Sequence, residues 1–327
     1  MVEKIRWGII GTGNIAGQFA RGLAVLPEAE LAAVGSRTAA AAEAFGEAFD
    51  VPHRHSSYED LARDPDVDVV YVATPHSLHR QNTLLCLRAG KAVLCEKPFA
   101  INAAEAEEMI SLAREKGLLL MEAMWSRFFP AMAKVRELLA AGAIGRVWLL
   151  TADFGFRARF DPSSRLFDPA LGGGALLDVG VYTVSLASMV FGSPSQVTGL
   201  AYLGPTGVDE QAGIILGYEG GELAVLATAI RAATPQDAML MGSDGHICIH
   251  SRWWMPTRLT LSVPGREDEV FELPFTGNGY NYEAAEVTAC LRAGKLESEV
   301  MPLDETLSIM RTLDQLRAQW GLKYPME

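Results

Sequence analysis

Cysteine is scarce in this chain: four in 327 residues, at 86, 95, 248 and 290, with no C-x-x-C pair. That spacing excludes a disulfide framework or a cysteine metal set and fits small buried thiols in a reducing compartment. Basic charge is also short, with 28 Lys and Arg against 40 Asp and Glu, a net charge of −12. Such a balance argues against a nucleic-acid or anionic-membrane surface while leaving room for a local basic pocket. Uninterrupted apolar runs are missing as well. None reaches the 18 residues or so of a membrane span, so no membrane association is expected. The opening "MVEKIRWGIIGTG" carries charges at positions 3, 4 and 6 and reads as the lead into a strand, not as a signal peptide. There is no internal repeat, low-complexity tract or long linker. What is present, 49% hydrophobic and 21% charged residues, supports an ample core. The length suits two domains, and the expectation is a soluble cytoplasmic protein.

The first 120 residues or so alternate short apolar runs with helical patterns, the grammar of a parallel α/β sheet. Strands are expected at 5–10, 30–36, 68–74, 91–96 and 117–123, almost wholly apolar as strands covered on both faces should be. Helices are expected near 14–25, 38–48, 57–63, 77–89 and 103–116. Ser57, three residues before Asp60, marks one helix start. After residue 124 the pattern changes to a helix at 130–141, a long strand at 145–156 and then consecutive strands at 195–203, 210–219, 222–231, 236–242, 245–250, 257–263 and 269–274. Turn pairs such as Gly220–Gly221 and Asp244–Gly245 make these antiparallel. Helices near 281–293 and 303–320 close the chain. The expected division is 1–123 and 124–327, an α/β domain with a parallel sheet followed by an α+β domain with a large, open, mainly antiparallel sheet. The open face would be covered by self-association into a homodimer or tetramer.

Chemistry is concentrated in three places. "GIIGTGNIAGQFA" sets Gly11, Gly13 and Ala16 as G-x-G-x-x-A after a strand, with Asn14 and Ile15 opening the next helix. Gly11 allows the tight turn, Gly13 a close approach of backbone to pyrophosphate, and the helix N-terminus faces the phosphates. Twenty-five positions beyond Gly11 the second strand ends in Ser36-Arg37-Thr38, where an NAD site would usually carry an acid. A hydroxyl and a guanidinium suit a 2′-phosphate, so NADP is preferred to NAD. "LCEKPFA" puts Glu96 and Lys97 at a strand's carboxyl end, where open α/β sheets bind ligands. Third, "GGALLDVGVYTV" (173–184) carries one carboxylate, Asp178, near the start of an apolar helix, with Tyr182 one turn on. A buried acid is costly unless something pairs with it.

With these residues the chain resembles the glucose–fructose oxidoreductase/inositol dehydrogenase (Gfo/Idh/MocA) family along its whole length. The motifs that carry the resemblance are the glycine turn, "ATPHSLH" (73–79), "EKP" (96–98) and the glycine-rich lead into a D-x-x-x-[H/Y] helix. "MEAMWSRFFP" (121–130), "GGGALLDVGVY" (172–182) and "WGLKYP" (320–325) resemble the branch of dimeric dihydrodiol dehydrogenases and NADP-dependent D-xylose 1-dehydrogenases. The resemblance implies a Rossmann domain first and a substrate-binding, oligomerising domain second. It implies that Lys97, Asp178 and Tyr182 form a catalytic cluster beside the nicotinamide, with Thr74, Pro75, His79 and Glu96 also at the coenzyme. A phenol is a poor base at neutral pH, and a lysine and a cationic ring would favour its phenolate. Trp125, Arg127, Phe154, Arg157 and the Trp253–Trp254 pair are candidates for the substrate pocket, with Arg159 and Arg165 in a loop before the glycine run. His76 and His79 form H-x-x-H without a third ligand, so no metal is expected there. The implied activity is hydride transfer between NADP and a small carbohydrate, polyol or cyclic diol, with D-xylose and a trans-dihydrodiol leading. The alternative is a non-catalytic NAD(P)-binding sensor on the same fold.

Overall fold

A computed structural model describes residues 4–327; positions 1–3, the start of the N-terminal stretch read above, lie outside the described residues. The chain divides into two compact units. One comprises the chain up to Trp125 together with 276–306, the other residues 126–275 and 307–327.

The first unit starts with β1 (Ile5–Ile10), α1 (Asn14–Leu23), β2 (Ala29–Gly35), α2 (Ala39–Phe49), β3 (His53–His55) and α3 (Tyr58–Arg63). It continues with β4 (Val69–Val72), α4 (His79–Arg88), β5 (Ala92–Glu96), α5 (Ala103–Lys116) and β6 (Leu120–Ala123). The strands form one sheet in the order β3-β2-β1-β4-β5-β6, every pair parallel. β4, β5 and β6 are buried at every position, which is why they read as unbroken apolar runs. Strand order reverses beside β1, and ligands of such sheets sit outside the carboxyl ends there. The helix starts follow local chemistry. Ser57 Oγ accepts the Asp60 N–H at 3.1 Å, and Asn102 does the same for Glu105 at 2.9 Å. β3 was not expected: "HRH" has no apolar alternation to announce a strand.

The second unit holds α6 (Pro130–Ala140), β7 (Val147–Gly155), α7 (Val181–Phe191), β8 (Gln196–Leu203), β9 (Asp209–Gly217) and β10 (Leu223–Ala229). Then come β11 (Ala238–Gly242), β12 (His246–Ile249), β13 (Arg258–Ser262) and β14 (Glu269–Glu272). They build an eight-stranded sheet, β14-β13-β12-β11-β7-β10-β9-β8, antiparallel except where β7 meets β10. Along β9 and β10 burial alternates residue by residue. α7 and the segment before it cover one face, and Leu200, Tyr202, Ile215, Leu223 and Val225 remain on the other. The stretch Pro169–Phe191 is long and apolar enough to cross a membrane by length and composition, but 83% of its most apolar window is buried within the fold. Buried core helices have the same composition.

Two helices follow β14. α8 (Tyr280–Arg292) belongs to the first unit and packs on α1, where Asn278 Nδ2 donates to Gln18 O at 2.8 Å. The first unit therefore takes in a returning segment, 276–306, that the expected 1–123 leaves out. α9 (Leu303–Trp320) belongs to the second unit from residue 307 on. Its last residues turn to β8, with Gln319 Nε2 donating to Val197 O at 2.8 Å and Trp320 Nε1 to Gly199 O at 2.9 Å.

Candidate active site

At the end of β1 the glycine turn has the geometry its sequence promises. Gly11 takes φ +103°, and a Cβ there would lie 2.7 Å from Ala73 O, so both conformation and space demand glycine. A Cβ on Gly13 would meet nothing within 4 Å, so its backbone is open to a ligand. Gly13 caps α1 without a side-chain hydrogen bond, and the first turn, opened by Asn14 and Ile15, carries no acid. These are the conditions under which helix N–H groups receive an anion. Ala16 is fully buried, giving the close helix–sheet packing the motif needs. At the end of β2, Ser36 is buried with its hydroxyl 3.4 Å from Thr12 Oγ1, while Arg37 is exposed. The turn, the open helix end and the hydroxyl–guanidinium pair fit a phosphate-rich dinucleotide.

The carboxyl ends of β4 and β5 are laced together. Pro75 is exposed, while Thr74 is buried and its hydroxyl accepts from Asn82 Nδ2 at 3.1 Å. His79 was expected at the coenzyme, but the structure closes it in. Its ring is fully buried, with Nε2 2.9 Å from Thr74 O and Nδ1 2.8 Å from Pro98 O. Burial pushes its pKa down to about 4, although two carbonyl oxygens favour N–H on both nitrogens. His79 is thus a brace between the two loops, with no nitrogen left for a metal shared with His76.

Glu96 ends β5, buried. Its Oε2 accepts the Lys97 N–H at 3.0 Å and its Oε1 accepts from the Tyr71 hydroxyl. That carboxylate orients the backbone of Lys97, whose peptide to Pro98 is cis. Behind it lies a residue the sequence did not advertise. Glu283 on α8 is fully buried, neither carboxyl oxygen has a hydrogen-bond partner, and burial together with the Glu96 charge pushes its pKa well up. Both causes favour the neutral form of this carboxyl. Tyr280, one turn earlier on the same helix, stacks on Trp125 at 4.5 Å. Trp125 is accordingly buried, an aromatic wall of this unit.

In the second unit the glycine run does the positioning. Gly173 and Gly174 N–H groups donate to Asp168 O and Leu166 O at 3.0 and 2.9 Å, folding the run back on the loop that carries Arg165. Arg165 Nη1 then meets Asp178 Oδ1 at 2.7 Å. Asp178 is 4% exposed, and the Arg165 side chain stays 60% exposed. This answers why an apolar helix tolerates the acid: it has a cation, and the cation keeps its water. Asp178 sits on a π-helical turn, Leu176–Gly180, that leads into α7. Such turns are rare and concentrate at functional sites. A second acid missed in sequence supports the turn from β9. Asp209 Oδ2 accepts the Leu176 N–H at 2.6 Å, and burial pushes its pKa up to about 7 in spite of that bond. A Cβ on Gly174, at φ +116°, would lie 2.2 Å from Asp209 Oδ1, so this residue too must be glycine.

Tyr182 on α7 is 6% exposed, tilted against Phe154 at 5.3 Å, and Phe154 stacks nearly parallel on Trp254 at 4.8 Å. The structure thus brings Tyr182, Phe154 and Trp254 together. Trp253 is core, its Nε1 donating to Asp153 O at 2.7 Å. Arg127, expected in the substrate pocket, is buried and clamps α7 through Ser185, with Nε to Oγ at 3.0 Å and Nη2 to O at 2.6 Å. That guanidinium holds a helix in place. Arg157 makes a lone bridge with Arg231, and Arg159 stands exposed on the same loop. Lys97 lies in the first unit and Asp178 and Tyr182 in the second.

Comparison with known proteins gives consistent results. Residues 5–124 match the family model described as "Oxidoreductase family, NAD-binding Rossmann fold" (GFO_IDH_MocA), and residues 132–248 match the GFO/IDH/MocA C-terminal domain. The chain is 41% identical to trans-1,2-dihydrobenzene-1,2-diol dehydrogenase of Mus musculus, covering 99% of each chain. It is 42% identical to the protein of that name from Xenopus laevis, covering 98% and 99%. Among solved structures, an aldose-aldose oxidoreductase from Caulobacter crescentus complexed with glycerol has TM-score 0.88 at 27% identity, with 98% of each chain covered. A 3-ketoreductase from Actinomadura kijaniata, in complex with NADP and TDP-benzene, has TM-score 0.87 at 27% identity, with 97% and 98% covered.

Proposed function

Because the chain belongs to the GFO/IDH/MocA oxidoreductase family over both of its matched parts, we propose that it oxidises a ring-borne secondary alcohol with NADP, a trans-diol of a six-membered ring first of all. The observation that carries the substrate class is the stacked Phe154–Trp254 pair beside Tyr182, because aromatic faces accept the flat apolar side of a ring while hydroxyls reach polar groups at its edge. The relatives named for a dihydrobenzenediol support the carbocycle. The fold's likeness to an aldose-aldose oxidoreductase supports a pyranose such as D-xylose as the second reading.

Bound NADP supplies a hydride acceptor. In this reading Tyr182 takes the proton from the substrate hydroxyl, and Lys97 lowers the tyrosine's proton affinity. Asp178, held by Arg165, accepts a second substrate hydroxyl and fixes which carbon faces the acceptor. Ser36 and Arg37 read the 2′-phosphate, supported by their place at the end of β2 and by the absence of an acid there. The open apolar sheet face, with Leu200 85% exposed, supports pairing with a second copy. Four free cysteines, three of them buried, support a cytoplasmic setting.

Initial rates of coenzyme reduction with trans-dihydrobenzenediol, D-xylose and other polyols test the reading. NADP-linked turnover on a cyclic diol, lost in Tyr182→Phe and Lys97→Ala with coenzyme binding kept, is the expected result. Turnover unchanged in both variants overturns the catalytic assignment. Equal losses for NAD and NADP in Arg37→Ala overturn the phosphate assignment. A single-copy mass for the wild-type chain in light scattering removes the dimer.

A further inference from the structure

The unexpected strand β3 carries two histidines with a shared destination. His53 and His55 are two positions apart, so the strand's alternation turns both to one side, while Arg54 turns away to Glu43 on α2. Both imidazoles reach one oxygen of Asp64, the residue that ends α3. His53 Nδ1 lies 2.7 Å and His55 Nε2 2.8 Å from Asp64 Oδ2. The other oxygen, Oδ1, accepts the Asp66 N–H at 2.9 Å. Exposure grades outward, with the Asp64 side chain 3% exposed, His55 23% and His53 38%. All three ligand atoms lie within 4.8 Å of one another.

We propose that His53, His55 and Asp64 form a divalent transition-metal site of the zinc class, clipping the edge strand β3 to the end of α3. Two imidazole nitrogens and one carboxylate oxygen, with a fourth position open to water, make a standard incomplete tetrahedron for zinc. Metal–ligand bonds of ~2.1 Å put neighbouring ligand atoms about 3.4 Å apart in a tetrahedron. The present 2.7 and 2.8 Å contacts are N–H···O bonds, so a cation displaces the hydrogens that face Asp64 Oδ2 and opens each contact by about 0.6–0.7 Å.

Neighbouring charges are accounted for. Asp66 and Asp68 are engaged by Arg6. Lys91 Nζ donates to Asp64 O at 2.6 Å and Val67 O at 2.7 Å. Its charge opposes a cation, but its two bonds fix the backbone that presents the carboxylate. The site also touches the coenzyme end through the main chain, because His55 O accepts the Ser36 N–H at 3.1 Å.

The test uses the full chain freed of metal by a chelator, titrated with Zn²⁺ by calorimetry and with Co²⁺ by visible absorption. One equivalent per chain, a higher melting temperature with zinc, and a cobalt spectrum without thiolate charge transfer are expected. The His53→Asn/His55→Asn double variant, which keeps polar groups on the strand, should lose at least ~100-fold in zinc affinity. Its folding is checked by NADPH binding, and Asp64→Asn is the second, independent variant. Zinc binding that survives in both variants overturns the proposal by placing the metal elsewhere, Cys248 and His250 included. Failure of the wild-type chain to bind zinc at micromolar concentration overturns it too and leaves a His–Asp–His hydrogen-bonded clip.

Discussion

Each unit buries carboxyl groups, and they do it in opposite ways. In the first, Glu283 is sealed behind Glu96 with no hydrogen bond to either of its oxygens, and its pKa is pushed well up, while Glu96 accepts the Lys97 N–H. In the second, Asp178 is nearly as buried but meets Arg165, whose guanidinium remains in solvent. The difference is in what each group must do. An acid meant to stay ionised in an apolar helix needs a cation, and a cation at the surface escapes most of its own desolvation. An acid sealed beside another acid is driven toward its neutral form. Asp209 lies between these cases, sealed but met by main-chain N–H groups, that of Leu176 at 2.6 Å among them.

That contrast can be broken at four points. The largest effect is expected at Asp209→Asn. The folded-state pKa is raised, so the wild-type protein loses stability as pH climbs from the unfolded carboxylate value through about 7. Removing the titration should lift relative stability across that window by on the order of 4 kcal/mol, read from melting curves between pH 4 and 8. A difference that stays flat with pH refutes the sealed state of this acid. Next, Asp178→Asn should cut kcat/KM by about 100-fold with little change in melting temperature, because Arg165 simply rehydrates. If melting falls and rate does not, Asp178 is structural.

Glu283→Gln, neutral and of the same shape, should gain stability relative to the wild type as pH rises from acid to neutral. The gain should grow with pH for as long as the unfolded chain has released this proton and the folded chain keeps it, because a raised folded-state pKa costs stability in that window. A destabilised variant would mean that the carboxyl has a partner it needs. The smallest change is expected from Arg165→Ala. It leaves Asp178 buried without its cation, and a loss of about 1–2 kcal/mol in unfolding free energy, half-relieved by added salt, would show water entering the gap.

Most of the elements were legible in the sequence because their signals are local. β1, α1, the Ser57 cap and the antiparallel strands after 195 stand within a residue or two of where apolar period and turn pairs put them. The misses are of two kinds. β3 and the π turn at Leu176–Gly180 break the periods on which such reading depends. Asp209, Glu283 and Tyr71 matter through partners far along the chain, which no window reveals. Polar residues on apolar ground were the ambiguous ones. His79 and Arg127 looked like ligand contacts, yet both turn inward and satisfy carbonyl oxygens, while Asp178, of the same appearance, does take a charge partner. Burial of a polar side chain announces a need for partners without saying whether these come from the chain or from a ligand.

The end of α9 has a bearing on how copies of this chain avoid harming one another. β8 is the longer of the two outer strands of its sheet, and a row of free main-chain carbonyls along it would invite a foreign strand to add on and grow a fibre. Gln319 and Trp320 occupy the oxygens of Val197 and Gly199 and so act as a chain terminator for sheet extension. Sheet growth through β8 is thereby blocked at both positions, by side chains of the same chain.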